Sequence, residues 1–302
     1  MERVVGVIGL GIMGGAIARN LRERGWRVIG ADVDADRRSA LAGDGIEIAT
    51  GVGALARDVP VILTSLPSPR ALESVAAELL AAGAPKRIIA ELSTLTIDDK
   101  RKFEVAMRAA GHVALDCPLS GTGAQAVTRD LVVYASGDRA AAESCMPLFA
   151  DFSKKTAFLG AFGNGSRMKF VANLLVAIHN VASAEAMVLA VKSGLDPKDV
   201  VDVIAPGAGG SRIFELRAPM MARDDYEPAT MRVSTWDKDM HVINDFARSL
   251  GVQTPCFDAS KPVYDEALRM GLGDLDTAAV CRVIAAQSGL VRDDHGEAKG
   301  TA

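Results

Sequence analysis

Val4-Val5-Gly6-Val7-Ile8-Gly9-Leu10-Gly11-Ile12-Met13-Gly14-Gly15-Ala16-Ile17-Ala18-Arg19-Asn20-Leu21 lies near the start of the chain and decides how the rest is read. Val4–Ile8 is a short apolar run with the look of a buried strand. A G-x-G-x-x-G turn follows at Gly9, Gly11 and Gly14, and Ala16–Leu21 then reads as helix. Alone the glycine pattern is weak. Placed after a strand and at the opening of a helix, it meets the context test for a dinucleotide-binding βαβ unit. Gly9 permits the tight turn, Gly11 lets the backbone approach a pyrophosphate, and Gly14 allows close helix–strand packing. Leu10, Ile12 and Met13 complete the turn, and the diphosphate meets N–H groups at the helix N-terminus. A glycine-rich turn without a ligand is the plain alternative, and the flanking strand and helix weigh against it.

The second strand candidate, Arg27–Asp32, ends on a carboxylate. Asp32 there accepts hydrogen bonds from ribose hydroxyls and repels a 2′-phosphate, which favours NAD over NADP. Arg37 and Arg38 pull the other way, since a nearby arginine accommodates that phosphate. They sit in the following helix, where a solvated surface pair is the simpler reading.

Composition bounds the function classes. The chain has 302 residues, 49% hydrophobic and 24% charged, with a net charge of −4. That length suits about two domains, each large enough to bury a core. No basic patch points to nucleic acid or a membrane surface. No apolar run reaches the roughly 18 residues of a bilayer span, and the N-terminus lacks a signal-peptide pattern. Cys117, Cys145, Cys256 and Cys281 are far apart and read as thiols in a reducing compartment. His112, His179, His241 and His295 share no metal-ligand spacing, so no metal site is expected. These features predict a cytoplasmic protein.

Outward from the first strand, the chain alternates β-rich runs with amphipathic stretches. Val61–Leu66, Arg87–Leu92, Val113–Asp116 and Leu131–Ala135 read as strands, and Gly14–Arg24 and Pro69–Ala82 as helices. That alternation predicts βαβ units and a mostly parallel sheet. The pattern changes near Phe162. Asn164–Ser193 reads as one helix about 45 Å long at 1.5 Å per residue, bounded by Gly163 and Gly194. Pro197–Ile204, Arg212–Ala222, Thr235–Leu250, Ser260–Met270 and Leu275–Gln287 follow with helical period, separated by Gly/Pro breaks. The expected architecture is α/β then all-α. A doubly wound Rossmann sheet occupies 1–162, the long interdomain helix and a helical bundle 163–292, and a flexible tail 293–302.

Two later segments carry chemical groups. Asp116-Cys117-Pro118-Leu119-Ser120-Gly121-Thr122-Gly123-Ala124 exposes backbone N–H groups beside a hydroxyl, and such a loop can hold a carboxylate. An ordinary Ser/Gly turn is the simpler account of it. The start of the long helix, Gly163 to Asn173, places Lys169 and Asn173 four residues apart on one face. A lysine partly desolvated among Phe170, Val171, Leu174, Leu175 and Val176 would have a lowered pKa and could act as an acid/base. A surface lysine is the usual alternative.

With these residues in view the chain resembles the β-hydroxyacid dehydrogenases, the group of 3-hydroxyisobutyrate dehydrogenase and tartronate semialdehyde reductase. The resemblance runs from about Val4 to Ser288 and rests on ordered motifs. They are the glycine turn, Leu66-Pro67-Ser68, Ser93-Thr94, Asp116–Gly121, Gly163-x-Gly165 leading to Lys169 and Asn173, and Lys238-Asp239. It implies that Lys169 is the catalytic lysine and that Ser120, Gly121 and Asn173 bind the carboxylate and hydroxyl ends of a small hydroxy acid, with Thr122 beside them. It implies that Thr94 lies near the nicotinamide, that Leu66 and Pro67 line the cofactor cleft, and that Lys238 reaches the cofactor site. A homodimer or homotetramer is implied as well.

The departures concern the substrate loop. The family's further glycines are replaced by Thr122, Gln125 and Arg129, and the acid before Ser-Thr is Glu91 rather than Asp. Thr122 and Gln125 are expected to reshape the pocket entrance and add hydrogen-bonding groups, which discriminate strongly between substrates. Arg129 reads as a surface charge, or as a partner for a second substrate acid. The reaction class implied is reversible hydride transfer with NAD, Lys169 serving as general acid/base. Two other readings stand beside it: an imine reductase, whose members generally lack this lysine, and a non-catalytic dinucleotide-binding scaffold, which would have lost it.

Overall fold

A computed structural model describes residues 3–292 and 298–299. The expected tail over 293–302 lies outside the described residues apart from 298–299. Contacts divide the chain into two compact units, Met1–Lys169 and Phe170–Ala302.

The first unit alternates as expected. Its elements are β1 (Val4–Ile8), α1 (Ile12–Glu23), β2 (Arg27–Ala31), α2 (Ala35–Gly43), β3 (Glu47–Ile48), α3 (Val52–Asp58), β4 (Val61–Thr64) and α4 (Pro69–Ala81). Then come β5 (Ile88–Glu91), α5 (Ile97–Ala109), β6 (Val113–Asp116), β7 (Leu119–Ser120), α6 (Gly123–Val127), β8 (Val132–Ala135), α7 (Arg139–Ala150) and β9 (Lys155–Phe158). Six strands pair in parallel in the order β3-β2-β1-β4-β5-β6. Successive residues of one strand serve opposite cores. Val5 and Val7 pack with Ile17, Leu21, Val28 and Leu63 on one face, and Val4 and Ile8 pack with Ile29, Leu55, Ile62 and Ile89 on the other. A sheet buried on both faces is why β1 reads as an unbroken apolar run rather than an alternating one. The order reverses between β1 and β4, and ligands of open α/β sheets bind beyond the strand ends at such a switch point.

A second sheet, β7-β8-β9, was not expected as such. Its antiparallel β7 is two residues long, and Lys155–Phe158 is only partly buried, so neither carries a clear period. Helix starts follow local chemistry: Asp34 accepts the Asp36 and Arg37 N–H groups, Ser68 caps α4 ahead of Pro69, and Thr96 caps α5.

The long helix α8 spans Asn164–Lys192, within a residue of expectation, and the division between units falls inside it. By length and composition it is apolar enough to cross a membrane, with a mean hydropathy of 1.8 over its most apolar window. The expectation that nothing reaches span length therefore needs correction, because scattered polar residues barely lower that mean. Those residues behave as a core helix requires: Asn173 donates to Asp239, Asn180 to Tyr264 and the Thr277 carbonyl, and Ser183 to the His179 carbonyl.

The second unit continues with α9 (Pro197–Ile204), α10 (Arg212–Arg223), α11 (Val233–Ser249), α12 (Pro255–Arg269), a 3₁₀ turn at Thr277–Ala279 and α13 (Val280–Gln287). Helix α12 starts at Pro255, five residues before the expected Ser260, and carries Pro262 in its interior. A short antiparallel pair, β10 (Val291–Arg292) with β11 (Ala298–Lys299), departs from the all-helical expectation.

Candidate active site

The glycine turn sits just past the end of β1. Gly9 adopts φ +90°, and a Cβ there would stand 2.2 Å from the Ser65 carbonyl oxygen. A Cβ on Gly14 would fall 1.8 Å from the Gly9 carbonyl oxygen, so α1 and the turn touch with no room for a side chain. Gly11 differs: its nearest neighbour would be the Arg37 guanidinium at 3.6 Å, leaving an open approach to the backbone. No side chain caps α1 at Gly11, and its first turn holds no acid. The cradle thus suits the diphosphate of a dinucleotide, which would lie on N–H donors and the positive end of the helix. Leu10 is buried, while Ile12 is 62% exposed over the turn and Met13 half-buried.

Asp32 stands immediately after β2 rather than within it. Its Oδ2 accepts the Leu10 N–H at 2.6 Å and its Oδ1 accepts the Asp34 N–H at 2.8 Å. The two arginines do not form the expected surface pair. Arg38 donates to the Asp32 and Val33 carbonyls and braces the backbone. Arg37 remains half-exposed, with Nη1 3.6 Å from Asp32 Oδ2 and Nε 3.4 Å from Asp34 Oδ2.

Leu66 and Pro67 follow β4, and Ser93 and Thr94 follow β5, so both pairs stand at the same sheet edge as the glycine turn. The structure joins them: the Leu66 N–H donates to Ser93 Oγ at 2.8 Å. Pro67 is exposed and Thr94 half-buried.

Beneath these turns lies a charge cluster that the sequence reading missed. Glu91 and Asp116 end adjacent strands in register, and both are fully buried. Lys100 of α5, also fully buried, places Nζ 2.7 Å from Glu91 Oε2 and 2.8 Å from Asp116 Oδ1. Burial pushes the lysine pKa down, but the Asp116 and Glu91 carboxylates outweigh it and hold the value above the ordinary one. Lys100 is therefore charged throughout the neutral range. One cation against two anions leaves surplus negative charge, which local donors meet. Ser93 N–H donates to Glu91 at 2.9 Å, and the Ser166 N–H and hydroxyl donate to Asp116 at 2.8 and 2.7 Å. The signal available in the sequence was a pair of apolar strands, each ending on an acid, that need a cation between them.

Ser120 pairs through β7 with Val132, and Gly121 takes φ +135° beside Leu131. The loop beyond is held from α1, where Asn20 donates to the Ala126 carbonyl at 2.7 Å. Gln125 Oε1 accepts the Thr122 N–H at 3.0 Å and its Nε2 donates to Asp130 at 2.8 Å, so its polar groups serve the start of α6. Arg129 lies 3.8 Å from Glu23, in keeping with a surface charge.

Lys169 and Asn173 are both buried on α8, at 8% and 3% exposure. Within the second unit Asn173 donates to Asp239 Oδ2 at 3.1 Å, and Lys238 Nζ lies 3.0 Å from Asp239 Oδ1. Asp239 thus links Asn173 and Lys238.

Comparison with known proteins agrees with this organisation. Residues 4–160 match the NAD binding domain of 6-phosphogluconate dehydrogenase. Residues 163–284 match the NAD-binding region of NADP-dependent 3-hydroxyisobutyrate dehydrogenase. An L-threonate dehydrogenase of Haemophilus influenzae is 31% identical, over 94% of this chain and 96% of its own. Glyoxylate/succinic semialdehyde reductase 1 of Arabidopsis thaliana is 28% identical, over 93% and 98%. The solved structure of Mycobacterium tuberculosis 3-hydroxyisobutyrate dehydrogenase with L-serine superposes with a TM-score of 0.84 at 26% identity, covering 94% of this chain and 99% of that one. An imine reductase from Streptomyces aurantiacus shares the fold, with a TM-score of 0.63 at 22% identity over 93% and 99%. With the glycine cradle, the long helix and both family matches in order along one chain, the protein belongs to the NAD(P)-binding β-hydroxyacid dehydrogenase family.

Proposed function

We propose that the protein is a dehydrogenase that interconverts a small 3-hydroxy acid and its semialdehyde, with Lys169 as general acid/base. The observation that carries this reading is the burial of Lys169 on α8, one turn beyond a Ser166 anchored by Asp116. The 8% exposure of Lys169, at the position that the family resemblance gives to the catalytic lysine, supports a role in proton transfer. When bound, the dinucleotide supplies the site for hydride transfer. In oxidation the Lys169 amine takes the proton from the substrate hydroxyl oxygen, and in reduction its ammonium returns it. Ser120, Gly121, Thr122 and Asn173 hold the carboxylate and hydroxyl ends. Gly9 to Gly14, Asp32, Leu66, Pro67, Thr94 and Lys238 hold the cofactor.

We take NAD as that cofactor on the strength of the Asp32 carboxylate. Arg37, half-exposed at 3.6 Å from it, is the feature that favours NADP instead. We also infer a homo-oligomer. Met168, Val171, Leu175, Ala182 and Leu189 lie exposed along α8, with Met168, Leu175, Ala182 and Leu189 each seven residues apart. Such a stripe suits a facing helix of a second copy. Light scattering on the wild type and a Leu175→Glu variant checks this. The four cysteines are free thiols, consistent with a reducing, cytoplasmic setting.

One panel tests the function. L-threonate, 3-hydroxyisobutyrate, glyoxylate and succinic semialdehyde are assayed with NAD(H) and NADP(H) in parallel, beside a cyclic imine. Turnover of a hydroxy acid with NAD is expected. Turnover of the imine alone, or binding of NADH without any turnover, would replace this reading with the imine reductase or the scaffold.

A further inference from the structure

The cluster of Lys100, Glu91 and Asp116 reaches both the turns that follow β4 and β5 and the start of α8. On one side Glu91 Oε1 accepts the Ser93 N–H, and Ser93 Oγ accepts the Leu66 N–H. Those bonds hold the two turns that carry Leu66–Pro67 and Ser93–Thr94. On the other side Asp116 takes both the N–H and the hydroxyl of Ser166 in the first turn of α8. That helix start has little freedom. Gly165 N donates to Ser136 Oγ at 3.0 Å, and a Cβ on Gly165 would lie 2.2 Å from the Tyr134 carbonyl oxygen. Lys100 bridges the two sides, and all of these residues belong to the unit Met1–Lys169.

We infer that Glu91, Lys100 and Asp116 form a positioning centre that ties the Leu66 and Ser93–Thr94 turns to the first turn of α8, and so sets where Lys169 stands. The inference rests on the catalytic reading of Lys169 given above. A buried triad of this kind is a poor source of stability, because desolvating three charges offsets most of their attraction. Its geometric value is greater. A misplacement of about 1 Å at a reacting group costs on the order of 100-fold in rate, and each link here is shorter than a water-mediated one.

The length of Glu91 is the specific element. Asp32 shows that an aspartate can accept the N–H two residues on. An aspartate at 91 would keep that bond to Ser93 while withdrawing its other oxygen from Lys100 by about 1.5 Å, one C–C bond. The glutamate alone both caps Ser93 and meets the lysine.

The test uses Glu91→Asp and Ser166→Ala in the full chain, with Lys169→Ala beside them. NADH affinity is read by fluorescence titration, the melting temperature by circular dichroism, and kcat with the hydroxy acid of the panel that the wild type turns over fastest. Both positioning variants should keep the NADH Kd within about twofold while kcat falls about tenfold or more. If both keep kcat within about twofold, or lose kcat, NADH affinity and melting temperature together, the cluster only supports the fold and the inference is overturned. Should Glu91→Asp fail to fold, Ser166→Ala, which removes one hydroxyl, decides alone. Wild-type turnover by Lys169→Ala removes the catalytic reading and the inference with it. An inactive Lys169→Ala beside fully active Glu91→Asp and Ser166→Ala removes the inference alone.

Discussion

The Asp32 carboxylate accepts the backbone N–H of Leu10 at 2.6 Å, so the acid after β2 holds the glycine turn after β1. One side chain thereby shapes the glycine turn by direct contact, and the role proposed for it would place it beside the cofactor ribose as well. A hydrogen bond to a charged group is worth about 1.5–3 kcal/mol. Asp32→Ala should therefore raise the NADH Kd about 10- to 100-fold. Unchanged affinity in a fluorescence titration would show that the turn holds itself.

Arg37 has a separable effect. Its guanidinium is half-exposed and pairs with Asp32 and Asp34, so removing it should not disturb the turn. With NAD as the cofactor, wild-type protein binds NADH more tightly than NADPH. Arg37→Ala should leave NADH affinity within about twofold and weaken residual NADPH binding about tenfold, the value of one charge-assisted contact. Tighter NADPH than NADH binding by the wild type would reverse the assignment and give Arg37 the leading role.

Two glycines of one turn should fail in different ways. Gly14→Ala drives a methyl to 1.8 Å from the Gly9 carbonyl oxygen, so the turn must open and the melting temperature should fall. Gly11→Ala meets nothing nearer than the Arg37 guanidinium at 3.6 Å, so the protein should melt as the wild type does while losing affinity for NADH. Equal losses of stability in both variants would contradict the assignment of the open approach to Gly11.

In the second unit Asp276 gathers the Arg217 guanidinium, the Thr230 hydroxyl and the N–H groups of Thr230, Met231 and Ala278. Burial raises its pKa, but Arg217 and these donors outweigh it and hold the carboxyl below its ordinary value. A carboxyl with a lowered folded pKa stabilises above its unfolded value, near 3.9, and that contribution is lost as pH falls through the folded value. Asp276→Asn should cost about 3–5 kcal/mol in urea unfolding at pH 7, because Arg217 is left buried without its anion. The gap between variant and wild type should begin to narrow below about pH 4 and close only once the pH falls below the lowered folded value. A gap independent of pH would mean that the charge is not what matters.

Much of this was legible before the structure. The glycine turn and the long helix declare themselves because each has a strong local cause: a backbone that tolerates no Cβ at Gly14, and 29 helical residues closed by Gly194. Strands β3 and β7 were invisible because two residues show no alternation. Ser260-Lys261-Pro262 resembles a helix opening and so hides the true start of α12 at Pro255. Lys100 is hidden in the sequence for a deeper reason. Asp98-Asp99-Lys100-Arg101-Lys102 looks like a solvated helix face, and only the register that aligns Glu91 with Asp116 creates a buried place for one of its cations.

The central claim concerns Lys169, and its most direct measurement is the paired kcat and NADH Kd of Lys169→Ala. General acid–base catalysis contributes about 10²–10⁴-fold. Lys169→Ala should lower kcat by that order with NADH affinity within about twofold of wild type. Turnover at the wild-type rate would contradict it.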